Sequence, residues 1–411
     1  MSSRKISNFS LILILGALTA LCPFSIDMYL PAFPKMAEDF HSNVAQVSLS
    51  LSSFFIGLAI GQLFYGPLLD RFGRKRPLYF GLGIYLLATL ACLSVHSIEA
   101  LIVLRVIQAL GGCVANVAAI AMVRDFFSPK DSAKVFSLLI LILGVSPLLA
   151  PTAGGYLAAS LGWQSIFAVL AAIGFAILLL VFFFLPEGHE PDKTQSLMPG
   201  PILKNYFEIF KNTQFHTFTL AGAVIFSGLF VYLAASPVIF MEIFKVSEKE
   251  YGWIFSFLAM GFIGSSQLNI FFLRLFHNEK ILKSAMYAFA VISLVFFAGA
   301  WQGWLSLPTI IAIFFMLLAM VGLANPNASA LAMAPFSRNA GSASALMGSL
   351  QMAVGSLASV CVGVFDAQQL LPISGIFIGA SVVSLIILFW GNRRIDNKVI
   401  ADPNDAPIVS H

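Results

Sequence analysis

Charged residues are scarce in this sequence of 411 residues, in which Asp, Glu, Lys and Arg together make up only 10%. A water-soluble domain carries roughly 25% charged residues, so the composition excludes an ordinary soluble protein. Hydrophobic residues make up 59% of the chain, and the mean hydropathy is +0.91. The apolar runs are long and unbroken rather than alternating, which excludes a transmembrane β-barrel. We therefore predict an all-α integral membrane protein with many spans.

Cysteine and histidine are also rare, with four and six residues respectively. The cysteines lie in apolar segments, and no two of them have the spacing of a metal site. No HExxH motif and no serine–base arrangement falls within an apolar run. The sequence therefore predicts neither an enzyme nor a metal or cofactor site, and we expect no nucleic-acid partner. A channel is also disfavoured, because no ring of charge and no selectivity filter is visible.

Long apolar runs dominate what is present. A helix needs about 20 apolar residues to cross a bilayer, and the runs between charged and turn clusters predict about twelve such spans. These cover residues 9–33, 46–69, 78–95, 99–123, 133–160, 163–186, 215–240, 250–274, 283–301, 304–333, 340–366 and 371–391.

The longest polar stretch lies midway along the chain and predicts a division into two halves. It contains Pro-Glu-Gly-His-Glu-Pro and Pro-Gly-Pro, which are turn signals. We predict a six-helix bundle in residues 1–186, a cytoplasmic linker in 187–214, a second six-helix bundle in 215–392 and a cytoplasmic tail in 393–411. Within the linker, residues 200–210 could form either an amphipathic surface helix or an irregular connection.

The distribution of basic residues predicts the orientation. All 23 Lys and Arg residues except Lys35, Arg105, Lys245 and Lys249 lie near the termini or in alternate loops. Loops rich in Lys and Arg stay in the cytoplasm, so we expect both termini there and an even number of spans.

Two charged residues fall inside predicted spans, where each costs about 2.5–3.5 kcal/mol on insertion. Asp27 lies about six residues before the outer end of the first span, and Arg105 lies about six residues after the start of the fourth. At 1.5 Å per residue, both lie roughly 9 Å from the same membrane face. They either line a water-filled pathway with a role in proton or substrate transfer, or form a static buried pair that locks two helices together.

The residues around Asp27 and Arg105 favour the first alternative. Gln108 and Asn116 follow Arg105 at i+3 and i+11, which places them on one helix face. Pro31 has no N–H group, so the carbonyl of Asp27 loses its helical partner. Burial favours the neutral form of the Asp27 carboxyl group, whereas a nearby Arg105 would favour the charged form. The carboxylate is therefore predicted to take up and release a proton.

The loop after the second span reads Gly66-Pro-Leu-Leu-Asp70-Arg71-Phe-Gly73-Arg74-Lys. Gly73 permits a tight turn with a positive φ. Asp70 can accept a hydrogen bond from Arg74 or cap a helix N-terminus. A basic membrane anchor would need neither the glycine nor the aspartate, so we predict that these residues have a gating role.

In the second half, Asn325-Pro326-Asn327 is predicted to break the tenth span. A broken helix is tolerated where it lines a cavity, although hydrogen bonding between helices would explain these amides equally well. The predicted cavity residues from both halves are Tyr29, Gln108, Asn116, Tyr232, Gln267, Asn325 and Gln351.

Several of these motifs resemble those of a known family. The loop Gly-x-Leu-x-Asp-Arg-x-Gly-Arg-Lys resembles the signature loop of the major facilitator superfamily, and Arg105-x-x-Gln108-x-x-Gly111 resembles that superfamily's proton-coupling motif. Asp27-Met-Tyr-Leu-Pro-Ala-Phe-Pro is similar to the first-helix signature of its bicyclomycin/chloramphenicol-resistance group. The fifth span resembles the antiporter motif of its drug exporters, with Ser146 where glycine is usual. The gating residues implied in this span are Gly144, Pro147, Pro151, Gly154 and Gly155.

The resemblance covers all twelve predicted spans. It implies a proton-driven exporter of lipophilic, drug-like small molecules that acts as a monomer in the bacterial inner membrane and exposes a central cavity to each side in turn. An exporter of an amino acid or metabolite, or a proton-coupled nutrient importer, stays open as an alternative. Importers of polar nutrients usually present several acidic and basic residues, whereas this pathway has one of each.

Overall fold

A computed structural model describes residues 8–188, 191, 199–336, 340–364 and 369–395, and all regular structure in these ranges is helical. Within them, twelve helices are long and apolar enough to cross a membrane, which confirms the predicted spans. The helices are α1 (Asn8–Asp27), α2 (Phe33–Asp39), α3 (Val44–Phe72), α4 (Lys75–Ala91), α5 (Ile98–Phe126), α6 (Pro129–Leu161), α7 (Gln164–Phe183), α8 (Pro199–Lys211), α9 (Thr213–Pro237), α10 (Glu248–Phe272), α11 (Asn278–Gln302), α12 (Leu307–Met333), α13 (Ala340–Val364) and α14 (Leu370–Asn392).

The spanning helices pack as two groups. In the first half, α5 contacts α1, α3 and α4, while α7 contacts α4. In the second half, α9 contacts α12, α13 and α14, and α12 also contacts α10 and α11. The halves meet mainly along two helix pairs, α3 with α13 and α6 with α10.

Small residues allow the closest helix contacts, as they do in many membrane proteins. A Cβ atom on Gly111 of α5 would collide with the backbone of Gly81 and Tyr85 on α4, and a Cβ on Gly81 would meet the Gly111 carbonyl oxygen at 2.8 Å. The close approach of α4 and α5 fixes the neighbourhood of Arg105, which lies less than two turns before Gly111.

The linker between the halves contains a helix, α8, which decides between the two predicted alternatives for residues 200–210. The hydroxyl of Tyr206 donates to the carbonyl of Leu63 on α3 at 3.3 Å, and Asn205 donates to the hydroxyl of Ser342 on α13 at 3.1 Å. The helix therefore contacts both halves. Burial raises the pKa of the Tyr206 hydroxyl, which lies outside the spanning segments.

The predicted break at Asn325-Pro326-Asn327 is wrong, because α12 runs continuously from Leu307 to Met333. A proline removes one backbone hydrogen bond and need not end a helix whose neighbours hold it in place. Here the side chain of Asn327 donates to the Leu323 carbonyl at 2.7 Å, and Gly322 packs closely against the carbonyl of Phe262 on α10. The helix is therefore held on both sides of Pro326.

Candidate functional site

The first span is interrupted at Asp27. Helix α1 ends at this residue, Leu30–Ala32 form a single 3₁₀ turn, and α2 begins at Phe33. The turn contains Pro31, whose missing N–H group leaves the Asp27 carbonyl without its helical donor. The predicted loosening of the helix at the carboxylate is confirmed.

The Asp27 side chain is buried, with 5% of the residue exposed. Across the described ranges, its carboxylate receives no hydrogen bond and forms no ion pair. Tyr232 on α9 and Tyr251 on α10 lie close enough to Asp27 for its charge to act on their hydroxyls. The turn that follows Asp27, Leu30–Ala32, contacts both of these helices, so this end of the first span lies against the second half.

The two tyrosines differ in how their hydroxyls are satisfied. Tyr251 shares a 2.7 Å hydrogen bond with the hydroxyl of Ser236, whereas the hydroxyl of Tyr232 is buried and has no hydrogen-bond partner among the residues that the structure describes. Both rings pack against Phe255, at centroid distances of 5.4 Å for Tyr232 and 5.9 Å for Tyr251. A buried hydroxyl without a hydrogen bond is costly, so Tyr232 has an unused donor in a low-dielectric setting near Asp27.

Arg105 is fully buried inside the first half. Its Nη1 donates to Oε1 of Gln108 at 2.6 Å, and its Nη2 donates to the carbonyl oxygen of Ser25 at 2.8 Å. The guanidinium lies between the rings of Tyr29 and Phe54, 4.2 Å from each centroid. Two cation–π contacts and two charge-assisted hydrogen bonds thus stabilise a cation that has no carboxylate partner among the described residues.

A hydrogen-bonded network extends from Arg105 into α4 and α1. Gln108 donates to the hydroxyl of Thr89 at 2.7 Å, and Thr89 donates to the carbonyl of Tyr85 at 2.6 Å. The hydroxyls of Tyr85 and Ser25 lie 2.7 Å apart. Sequence reasoning identified Arg105 and Gln108 but missed Ser25, Tyr85 and Thr89, because single polar residues in apolar helices give no distinctive pattern.

Asp27 and Arg105 lie at one depth but on different sides of α1. The bond from Arg105 to the Ser25 carbonyl places the guanidinium at the level predicted from the helical rise. Side chains two residues apart in a helix point roughly 200° apart, so Ser25 faces Tyr85 while Asp27 faces the second half. The alternative of a static Asp27–Arg105 ion pair is therefore not what the structure contains.

The loop between α3 and α4 is held by acidic side chains. Gly73 has a φ of 81°, which favours glycine, as predicted. Arg74 binds Asp70 at 2.8 Å, also as predicted, and binds Asp125 at the end of α5 at 2.7 Å. Glu187, which follows α7, accepts hydrogen bonds from the backbone N–H groups of Arg74 and Lys75. Three parts of the first half converge on this loop.

The electrostatics of the loop keep Arg74 charged. Burial by itself lowers the pKa of this guanidinium, but hydrogen bonds and charges from Asp125 and Asp70 outweigh burial and raise it. Within the described ranges, no atom lies within 4 Å of the place that a Cβ atom on Gly66 would occupy. The Arg71 guanidinium lies 5.9 Å from the Phe72 ring centroid. The gating roles of these residues stay predictions.

We expect Asp125→Asn to reduce transport more than Asp70→Asn does. The Asp125 side chain is 13% exposed and contacts Arg74 through both oxygens, whereas the Asp70 side chain is 49% exposed. An exposed ion pair contributes about 0–1 kcal/mol, whereas removing one partner of a buried pair costs roughly 3–5 kcal/mol. Expression-normalised efflux and the thermal midpoint of both variants test this ranking, and an equal or larger loss for Asp70→Asn would contradict it.

Glycines of α6 are the points where this helix approaches its neighbours. A Cβ on Gly154 would collide with the backbone carbonyl of Met28, next to Asp27, and a Cβ on Gly155 would collide with the carbonyl of Glu248 on α10. Helix α6 continues through Pro147 and Pro151. The two glycines therefore pack the end of the bundle that carries Asp27, both within the first half and across to the second.

We expect Gly154→Ala to abolish most transport and Gly144→Ala to leave it nearly intact. At Gly154 the added methyl group meets backbone, which cannot move independently, and such overpacking costs about 1–3 kcal/mol or more. At Gly144 it meets only the side chain of Ile263, at 3.3 Å. Efflux and thermal stability of the two variants measure the difference. Similar behaviour of both variants would show that the close approach to Met28 is unimportant.

The remaining predicted cavity residues have varied surroundings. Gln351 on α13 donates to Asn325 on α12 at 3.1 Å, which agrees with hydrogen bonding between helices. Oδ1 of Asn116 is buried and has no hydrogen-bond partner in the described part of the chain. Gln267 is exposed, and Tyr29 is fully buried beside Arg105. Their roles as substrate contacts stay predictions.

Comparison with known proteins gives the family. The sequence model described as Major Facilitator Superfamily matches residues 15–359. The chain belongs to this superfamily. It is 32% identical to the bicyclomycin resistance protein homolog of Haemophilus influenzae over 95% of this chain and 97% of that protein. It is 30% identical to the multidrug resistance protein MdtL of Klebsiella pneumoniae over 90% of this chain and 93% of that protein.

Solved structures of the superfamily share the fold. A D-xylose-proton symporter aligns with a TM-score of 0.71 over 92% of this chain and 97% of its own, at 14% identity. The nucleoside transporter NupG aligns with a TM-score of 0.70 over 93% of this chain and 99% of its own, at 16% identity. As a superfamily member, the chain is a transporter rather than an enzyme, and it is a multi-pass protein of the bacterial inner membrane.

Proposed function

We propose that this transporter is a proton-coupled antiporter that exports lipophilic small molecules such as antibiotics. One observation carries the proposal: a buried carboxylate, Asp27, lies without a hydrogen-bond or ion-pair partner among the described residues, at a helix break that faces the other half. Ionisable groups inside a membrane are expensive and mark proton or substrate pathways. The similarity to bicyclomycin and multidrug resistance proteins supports export of drug-like molecules.

The coupling follows from the position of Asp27 between the halves. The turn that follows it, Leu30–Ala32, contacts α9 and α10, so the halves are closed together at this end of the bundle. Closing over an ionised carboxylate costs about 2.5–3.5 kcal/mol more than closing over a neutral one, by the scale for charges in a helix centre. Protonation of Asp27 therefore favours the closed arrangement, and loss of the proton favours its opening.

The unpartnered hydroxyl of Tyr232 gives the second half a way to respond to this proton. Tyr232 can donate to the ionised carboxylate, and a hydrogen bond to a charged group contributes about 1.5–3 kcal/mol, which offsets part of the cost of closing over the charge. The cost that remains still makes closure over the neutral carboxyl group the more favourable. Arg105 keeps α1, α4 and α5 together through both states, because its network lies wholly inside the first half.

With both termini in the cytoplasm, the end that carries Asp27 faces outward. The carboxyl group takes a proton from outside, the bundles rock as two bodies, and the proton leaves to the cytoplasm while substrate is taken up there. We propose that the chain does this as a monomer, with residues 1–186 and 215–392 as the moving bodies and residues 187–214 as their connection.

Drug accumulation in cells that lack their own pumps tests the proposal. Cells that express this protein should accumulate less of a lipophilic antibiotic than cells with an empty vector, and an uncoupler should remove the difference. Accumulation above the empty-vector level would identify an importer. If no drug showed a difference and the cells instead exported an amino acid or another metabolite, that metabolite would be the substrate in place of a drug.

A further inference from the structure

A groove of about 470 Å³ lies in the second half, between the start of α11 and the end of α14. It is far from Asp27, which lies in the first half. Its lining includes two cations, Lys283 and Arg393, and apolar or aromatic side chains such as Tyr287, Leu385, Phe389 and Trp390. The groove opens on the outer surface of the bundle rather than between the two halves. It plays no part in the transport steps above.

The cationic part of the groove is held in place by hydrogen bonds. Lys283 forms a 2.8 Å ion pair with Glu279, and Asn392 at the end of α14 donates to the same carboxylate at 3.1 Å. The Arg393 guanidinium lies 4.1 Å from the Phe389 ring centroid. This arrangement ties the lysine of α11 to the last turn of α14, beside the arginine.

The groove has an excess of positive charge. Among the described residues at this site there are three cations and one carboxylate. The cations are Lys283, Arg393 and the adjoining Arg394, and the carboxylate is Glu279. The side chain of Lys283 is still 41% exposed in its ion pair, and Arg393 is exposed. Both cations can therefore accept a further anionic partner at their open side.

The apolar part of the groove has the exposure expected of a surface that contacts lipid chains. Tyr287 is 59% exposed, Phe389 54% and Trp390 65%. Tyr and Trp are typical of the membrane interface, where a ring meets both acyl chains and head groups. Cations therefore lie at the end of an apolar surface that runs along the two spans.

We propose that this groove binds an anionic phospholipid, with the phosphate between Lys283 and Arg393 and an acyl chain along Tyr287 and Phe389. Basic pockets between transmembrane helices select anionic head groups because the charges are complementary. A zwitterionic lipid brings its own cation to a site that already has three. Bound lipid would join α11 to α14 and so stabilise the second half.

Native mass spectrometry of the purified protein in detergent tests this site with phosphatidylglycerol and phosphatidylcholine. The wild type should bind phosphatidylglycerol at least about tenfold more tightly, since each cation near a membrane surface contributes about 1 kcal/mol. The double variant Lys283→Gln/Arg393→Gln should lose this preference. The matched control Lys35→Gln/Lys249→Gln removes two cations at the opposite end of the bundle and should keep it.

Equal wild-type affinity for the two lipids would overturn the proposal, and this comparison does not depend on any variant being folded. A preference that persists in Lys283→Gln/Arg393→Gln would also overturn it. Inorganic phosphate provides a further arm, because displacement of the lipid by equimolar free phosphate would indicate a site for a soluble anion instead.

Discussion

Asp27→Asn is expected to abolish proton-driven export while leaving membrane insertion and folding intact. Asparagine has nearly the shape of aspartic acid and cannot ionise, so it mimics the permanently protonated state. The closed arrangement around residue 27 should therefore form normally, because no described partner is lost from the carboxylate. In the wild type, loss of the proton creates a buried charge that favours opening. Asparagine cannot ionise, so this charge never forms in the variant.

Efflux from everted membrane vesicles energised by a pH gradient measures this loss, and substrate binding to the purified variant measures what is retained. We expect transport at the background level, together with measurable binding of a neutral substrate. Glu38→Gln, which neutralises an exposed acid on α2, is the matched control and should transport normally. Wild-type efflux by Asp27→Asn would remove the carboxylate from the mechanism.

Arg105→Ala is expected to impair coupled transport more than Arg105→Lys, and both should be impaired. Alanine removes the hydrogen bonds to Gln108 and to the Ser25 carbonyl and leaves both acceptors buried. Each hydrogen bond to a charged group contributes about 1.5–3 kcal/mol, so alanine costs on the order of tenfold or more per bond. Lysine keeps the charge, but it lacks the planar fork that reaches both acceptors and stacks between Tyr29 and Phe54.

Efflux rates and thermal midpoints of the two variants separate these contributions. A fully active Arg105→Lys variant would show that charge alone matters and that the fork geometry does not. Arg76→Lys makes the same change of side chain at a position outside the hydrogen-bonded network of Arg105. It should leave the efflux rate and the thermal midpoint unchanged.

The spans and the break at Asp27 could be predicted from the sequence because both have local causes. Unbroken apolar runs determine which segments can enter the bilayer. A proline acts on the carbonyl four residues before it, so Pro31 indicates the site of the break directly. The same rule failed at Pro326, where contacts from α10 and the Asn327 side chain keep α12 intact.

The depth of Asp27 and Arg105 in the membrane could be predicted from the sequence, but the direction in which each side chain points could not. The helical rise places Asp27 and Arg105 in one layer, and the structure agrees. Which side of α1 each of them approaches depends on how the helices are rotated in the bundle. That rotation is set by packing, such as the contact of Gly154 with Met28. The proximity of Tyr232 and Tyr251 to Asp27 could therefore not be predicted from the sequence.

The partners of the α3–α4 loop were missed for a similar reason. Asp125 and Glu187 lie far from Arg74 in the chain, and their contacts exist only once α5 and α7 are packed. The resemblance to the superfamily also implies that Asp70 contacts the start of the eleventh span, beside Arg338 and Asn339, and these two residues lie outside the described ranges. That contact stays a prediction.

Substrate-induced proton release from the purified protein tests the central claim most directly. In weakly buffered detergent solution with a pH indicator, adding substrate to the wild type should release protons, because substrate and proton favour opposite states of the Asp27 site. The Asp27→Asn variant should bind substrate and release none, while Glu38→Gln should behave as the wild type. Unchanged release by Asp27→Asn would show that the proton site lies elsewhere and that Asp27 has only a structural role.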